Sequence, residues 1–110
     1  MLRVMIESPY AGEPARNILY AQRAMQDSLA RGEAPFAMHL LYPLVLDEGD
    51  PKEREQGIEC GLTWARAAHL VAFYVDYGMS PGMLKAGLTL SDEQIDFTFR
   101  TIGPNTDSTL

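Results

Sequence analysis

Glu7, His39, Asp76 and Ser80 are the polar side chains best placed for chemistry, because each follows or closes a short apolar run. Glu7 ends Val4-Met5-Ile6 and precedes Ser8-Pro9-Tyr10-Ala11-Gly12; His39 follows Phe36-Ala37-Met38; Asp76 follows Leu70-Val71-Ala72-Phe73-Tyr74-Val75, with Ser80-Pro81-Gly82-Met83 just beyond. A carboxyl desolvated at the end of a buried strand has its pKa raised toward the range of a general acid. An imidazole there can bond a phosphate or a sugar, or shuttle a proton, and an acid directly after a strand can reach ribose hydroxyls. Ser-Pro-Gly opening a helix offers a capping hydroxyl and free amides, which favour an anion by about 0.3–1 kcal/mol. Tyr10 supplies a ring on which a base can stack. Each also has a structural role available: Glu7 on the amides of its turn, His39 as a satisfied strand-end histidine, Asp76 on the loop 77–79, Ser80 as a helix cap and Tyr10 as a lid on the rim.

The elements that must hold these residues follow from period and punctuation. Residues 2–7, 35–41, 70–75 and 95–102 are apolar runs of strand length. Residues 13–31 place Ile18, Ala21, Met25 and Leu29 at helical spacing, with Pro14 in the first turn and Gly32 as the stop. Residues 51–68 set Ile58, Leu62, Ala65 and Ala68 on one side; Ser80 caps a third helix running to about Leu88, and residues 91–94 form a turn or a short helical piece. Strand alternating with helix means a three-layer α/β domain, a flavodoxin- or Rossmann-like parallel sheet of about four to five strands. Residues 1–103 form the single domain and 104–110 a flexible C-terminal tail. In such sheets the ligand lies beyond the carboxyl ends of the strands, where the strand order reverses. Glu7, His39 and Asp76 all stand at those ends. Trp64 and Cys60 belong to the core, and the six methionines fill core and subunit interface.

A net charge of −6 argues against nucleic acid as partner, since phosphate neutralisation needs a basic face. No apolar run approaches the roughly 20 residues that span a bilayer, and the N-terminus lacks the apolar core of a signal peptide. One cysteine excludes an intrachain disulfide, and no Cys/His spacing suggests a metal or calls for a cofactor. The expected location is the cytoplasm.

From Arg3 to about Leu88 the chain resembles the nucleoside 2-deoxyribosyltransferase family, including its nucleotide N-hydrolase branch. Ile6-Glu7-Ser8-Pro9-Tyr10-Ala11-Gly12 looks like the family's first strand and loop, and Asn17 like an Asn in its next helix. Phe36-Ala37-Met38-His39 resembles the end of its second strand. Gly61-Leu62-Thr63-Trp64 with Ala68-His69 is similar to the hydrolase pattern Asp-Leu-x-Trp followed by Ala-Asp. Ser80-Pro81-Gly82 is similar to the Ser-x-Gly whose hydroxyl and amides hold the nucleotide phosphate. The resemblance implies a nucleotide or nucleoside as small-molecule partner and a homodimer or higher homo-oligomer. It implies ligand contacts from Ser8, Tyr10, Asn17, His39, Asp76, Ser80, Gly82 and Met83. Two positions depart from the pattern. The family's nucleophilic Glu falls on Ala86, and its assisting Asp on Gly61. Retaining glycosyl transfer needs a carboxylate to attack the anomeric carbon and a proton for the departing base; Ala and Gly supply neither. The expectation is therefore a pocket that binds a nucleotide or nucleotide-derived molecule without the family's usual chemistry. The alternative is a divergent N-glycosidase or deoxyribosyltransferase with a relocated carboxylate, Glu7 first and Glu59 second.

Overall fold

The computed structural model describes residues 1–103; the expected tail, 104–110, lies outside them. Four parallel strands, β1 (Arg3–Glu7), β2 (Ala34–Ala37), β3 (Leu70–Tyr74) and β4 (Phe97–Arg100), form one sheet in the order β2-β1-β3-β4. Three helices connect them: α1 (Pro14–Ala30), α2 (Pro51–Ala67) and α3 (Pro81–Asp92). Met5 lies between Phe36 of β2 and Val71 of β3, and Phe73 lies beside Phe99 of β4. The three-layer parallel α/β architecture is the one expected.

Alternation along the strands builds two cores. Val4, Ile6, Ala72 and Tyr74 point to one face and pack with Tyr20 and Ala24 of α1. Met5, Val71 and Phe73 point to the other and pack with Ala65 of α2 and Met83 and Leu90 of α3. This assignment follows from chain direction: β1 to β2 moves one way along the sheet, whereas β2 to β3 and β3 to β4 move the other. Right-handed crossovers then put α1 opposite α2 and α3. The order reverses between β1 and β3, so their carboxyl ends open the crevice where ligands enter such sheets.

Several local expectations shift. The second strand does not run over 35–41; it stops at Ala37, and the chain turns through two short 3-10 segments, Met38–Leu40 and Tyr42–Leu44. In α1 the buried stripe is Asn17, Tyr20, Ala21, Ala24 and Ser28, while Ile18 and Leu29 are exposed. Small side chains let the helix lie close to the sheet, and the larger apolar ones flank it. In α2 the closest contact is made by Gly57, Gly61 and Ala65, with Ile58 exposed. Helix α3 extends past Leu88 to Asp92, so Ser91 and Asp92 are helical, and Gln94 then reverses the chain at a φ of 58°. Trp64 is not core: it is 50 % exposed, tilts against Phe36 and donates from Nε1 to the Tyr42 hydroxyl at 2.8 Å. Cys60 is partly exposed. Met5, Met38 and Met83 are buried, Met25 and Met79 pack at the core's margin, and Met1 is exposed.

On the α1 face, Arg100 of β4 forms a two-pronged ion pair with Glu33, at 2.8 Å on each side, with the pair only 8 % and 11 % exposed. The guanidinium holds the Glu33 carboxyl below the usual carboxylate range, and Ser28 Oγ donates to it at 2.7 Å. No described helix is long and apolar enough to cross a membrane.

Candidate functional site

The carboxyl ends of the strands bring three chain segments to one mouth: the loop 8–13 after β1, the turn Met38–Leu40 after β2, and the loop 75–80 after β3. Glu7 closes β1 at the switch in strand order, beside Phe73 of β3. It is 9 % exposed, and its carboxyl makes no hydrogen bond or ion pair with any described residue. With no cation or amide to offset the loss of water, burial pushes that carboxyl up to about 7. At neutral pH a large share of the molecules carry Glu7 protonated, able to donate as well as accept.

His39 sits across the mouth on its 3-10 turn. Its ring stacks on Tyr10, centroids 5.4 Å apart and planes at 23°. Burial lowers the His39 pKa to about 4, so it is a neutral imidazole at physiological pH. The stack ties the β1 loop to the β2 turn and leaves Tyr10 one ring face already occupied.

Asn17 is buried in the first turns of α1, and its amide nitrogen donates to the carbonyls of Tyr10 at 2.8 Å and Ala11 at 3.3 Å. Its oxygen accepts from Arg16. Asn17 therefore shapes the loop that carries Tyr10. Ser8 is buried beneath that loop.

Asp76 is committed to the fold. It accepts from the Tyr20 hydroxyl and from the amides of Ile102 at 3.0 Å and Gly103 at 3.2 Å. Its own N–H donates to Tyr20 at 2.8 Å. Burial raises its carboxyl, but these donors outweigh that and the pKa falls below its ordinary value. Burial and the Asp76 contact together push the Tyr20 hydroxyl up.

Ser80 caps α3, accepting from the Met83 amide at 3.3 Å. Pro81 has no N–H, so Gly82 supplies the remaining open amide of that first turn, and a Cβ there would meet nothing within 4 Å. The Met83 side chain is core, 2 % exposed.

Two residues at the mouth carry no motif. Arg16 places its guanidinium 4.0 Å above the ring of Tyr77, which also meets Tyr20 edge-on at 4.7 Å. Arg16 is further paired with Glu13 at 2.9 Å. It links the start of α1, after the β1 loop, to the loop that follows β3. Its one visible signal is Tyr77, an aromatic residue in a loop ahead of a helix cap.

The two departures from the resembled pattern are packing positions. A Cβ on Gly61 would come 2.6 Å from Met38 Sδ and 2.9 Å from its Cε. The glycine therefore lets α2 close over Met38. Ala86 packs against the core on the sheet side of α3. Glu59 is exposed on α2, and its carbonyl accepts from Thr63. Glu7 is thus the unengaged carboxyl of the mouth among the described residues. No group of three or more described His, Cys, Asp or Glu is placed to hold a metal ion.

A separate apolar cleft of about 140 Å³ opens at the other end of the strands, lined by Arg3, Ala34, Phe36, Trp64 and Ala68 among others. Arg3 spends its Nε on the Ala67 carbonyl, so nothing polar is aimed into that cleft.

No curated protein and no solved structure matches the chain. What does match is the stretch that builds both the sheet and its mouth. Residues 2–100, from the first strand through the last, fit the family described as a domain of unknown function (DUF7768), and the chain belongs to that family.

Proposed function

We propose that the protein binds a nucleotide or nucleotide-derived small molecule across the β1–β3 crevice, in the manner of the deoxyribosyltransferase-like proteins its motifs resemble. The observation that carries this is Glu7: a buried carboxyl with no partner at the point where the strand order reverses. No buried side-chain oxygen or nitrogen among the described residues lacks a partner, so the unbonded Glu7 oxygens are open to solvent, where a ligand donor or acceptor could meet them. The Ser80 cap and the open Gly82 amide would receive a phosphate. Tyr10, backed by His39, would meet a base, and Arg16 would lie near the anion. A soluble metabolite of this kind, and a single cysteine, fit the cytoplasm.

A hydrolytic role is the second proposal, and one observation favours it. A carboxyl titrating near 7 is suited to protonate a departing base. Packing at Ala86 and Gly61 leaves no carboxylate for nucleophilic attack there, so binding without rapid cleavage is the principal proposal.

Thermal shift with 2′-deoxynucleoside 5′-monophosphates and the matching nucleosides tests both. Ligand at a hundredfold excess over its Kd adds about 2.7 kcal/mol of stability. The monophosphates should raise the melting temperature and the nucleosides less. Equal protection would remove the phosphate from the Ser80 turn, and no protection by either would refute the nucleotide. Chromatographic assay for free base should show little release. Robust release that vanishes in Glu7→Gln would establish the hydrolase instead.

A further inference from the structure

We propose that the outer edge of β4 is a homodimer interface, pairing antiparallel with β4 of a second copy about a two-fold axis at Thr98. The backbone supplies the first observation. The Val71 N–H donates to the Asp96 carbonyl and the Val75 N–H to the Arg100 carbonyl, with Val71 beside Phe97 and Phe73 beside Phe99. Along a parallel strand, successive residues turn their N–H and C=O to opposite sides. Residues 96, 98 and 100 therefore serve β3, and the amides and carbonyls of Phe97 and Phe99 face outward. Among the described residues no strand covers that edge.

The sequence of β4 is complementary to itself when reversed. Around Thr98, Phe97 falls opposite Phe99 of the second copy, and Asp96 opposite Arg100. The Phe97–Phe99 pairs are the ones with outward-facing backbone groups, so each can exchange two hydrogen bonds, four in all. The same rotation keeps like faces together. Phe97 and Phe99 both lie on the α3 face, where they already touch Phe73 at ring centroids of 5.6 and 5.7 Å. Asp96 and Arg100 share the α1 face, but Arg100 spends its guanidinium on Glu33 of its own chain, so the match across the seam is the apolar one between the phenylalanines. Any one-residue slip would break these pairings and misalign the hydrogen bonds.

Exposure is arranged to match. Phe99 is 56 % exposed, and Leu84 and Leu88, one turn apart on α3, are also exposed. The two-fold axis sets both α3 helices on the same face, flanking the seam, and these leucines supply the apolar area that four strand residues alone lack. The opposite edge is protected: β2 carries Pro35 within its four residues, as guarded edges do. β4 has neither proline nor lysine.

The experiment uses the full chain. Light scattering at micromolar concentration should return about twice the 12.2 kDa chain mass. Phe99→Pro deletes one outward N–H and none of the β3 ladder, and it should give the monomer mass. Thr98→Cys in a Cys60→Ser background tests register without weakening the edge. Residues that face each other on the axis lie about 4.5 Å apart at Cα, within disulfide span. Mild oxidation of that variant should therefore join the two introduced thiols across the dimer. Phe99→Cys in the same background sits opposite residue 97, about 7 Å from its own copy, and should not cross-link. A monomeric natural chain would overturn the proposal. So would a dimer in which Thr98→Cys stays reduced, or one in which Phe99→Cys links as readily, because either puts the interface elsewhere.

Discussion

Replacing Glu7 with Gln should make the protein more stable, and increasingly so as the pH rises. In the unfolded chain the Glu7 carboxyl titrates at its ordinary 4.5, and in the native state at about 7. Between those values the native state holds a proton that the unfolded state has lost, so stability falls as pH climbs. Each pH unit costs 1.36 kcal/mol, and the whole interval amounts to about 3 kcal/mol. The loss is complete above pH 7 and absent below 4.5. His39 runs the opposite way. Its native pKa is near 4 against an ordinary 6.5, so the unfolded state binds the extra proton and stability rises between those values, again by about 3 kcal/mol. The two slopes largely cancel from about pH 4.5 to 6.5, and the natural chain should be nearly level there with respect to them. Glu7→Gln keeps the shape and the hydrogen-bonding capacity of the neutral acid and removes the titration. Urea unfolding of both chains from pH 4.5 to 9, compared at each pH, cancels His39 and isolates Glu7. The difference should be near zero at pH 4.5 and reach about 3 kcal/mol by pH 8.5. In thermal melts that is an increase of roughly 10 °C or more for a domain of this size. A difference that stays flat across the range would mean that Glu7 ionises normally. The mouth would then contain no neutral carboxyl.

Two further substitutions probe how the mouth is packed and anchored. Gly61→Ala gains helix propensity of about 1 kcal/mol, but its Cβ lands on Met38, 2.6 Å from Sδ. The overpacking cost of about 1–3 kcal/mol should win, giving a net loss by urea unfolding that shrinks in a Met38→Ala background; stabilisation in the natural background would refute the contact. Glu33→Gln leaves Arg100 buried without its partner, which should cost about 3–5 kcal/mol and lower the urea midpoint at unchanged slope.

The central strands were legible because they are buried on both faces and apolar at nearly every position, the pattern of a parallel core strand. The end of β2 was not. Met38 and Leu40 pack into the two opposite cores, so apolar pattern alone cannot distinguish a continuing strand from the 3-10 turn that replaces it. The helical stripes misled for a related reason. Large apolar residues mark a face, but the sheet selects small ones, and Asn17, Ala21, Ala24 and Ser28 lie inward while Leu29 does not. Glu7 could be singled out from its position at a strand end. Its isolation could not, because the absence of a partner is a property of the assembled mouth. The Arg16–Tyr77 contact and the Glu33–Arg100 pair join residues far apart in the chain, and local sequence carries no trace of them.

The carboxylates near the crevice divide by what burial allows each one. Asp76 accepts from one hydroxyl and two backbone amides and is held ionised as a strut between α1, β3 and the chain after β4. Glu33 has a guanidinium and a hydroxyl and does the same on the α1 face. Glu7 has neither, and the two positions where the resembled family carries its acids have been turned over to packing by Met38 and the core side of α3. A mouth with one unpaired acid and a neutral imidazole carries little fixed charge of its own. Arg16, a cation beside the loop after β3, is already shared between Glu13 and the Tyr77 ring. If the mouth binds a ligand as proposed, it would discriminate by hydrogen bonding more than by charge, and a ligand that both accepts from and donates to Glu7 would suit it best. The amide-like edges of nucleobases and the hydroxyls of a sugar have that chemistry, whereas a simple anion does not. In the proposed complex a phosphate would add its part at Gly82, away from Glu7, and the sugar and base would be the groups that meet the acid.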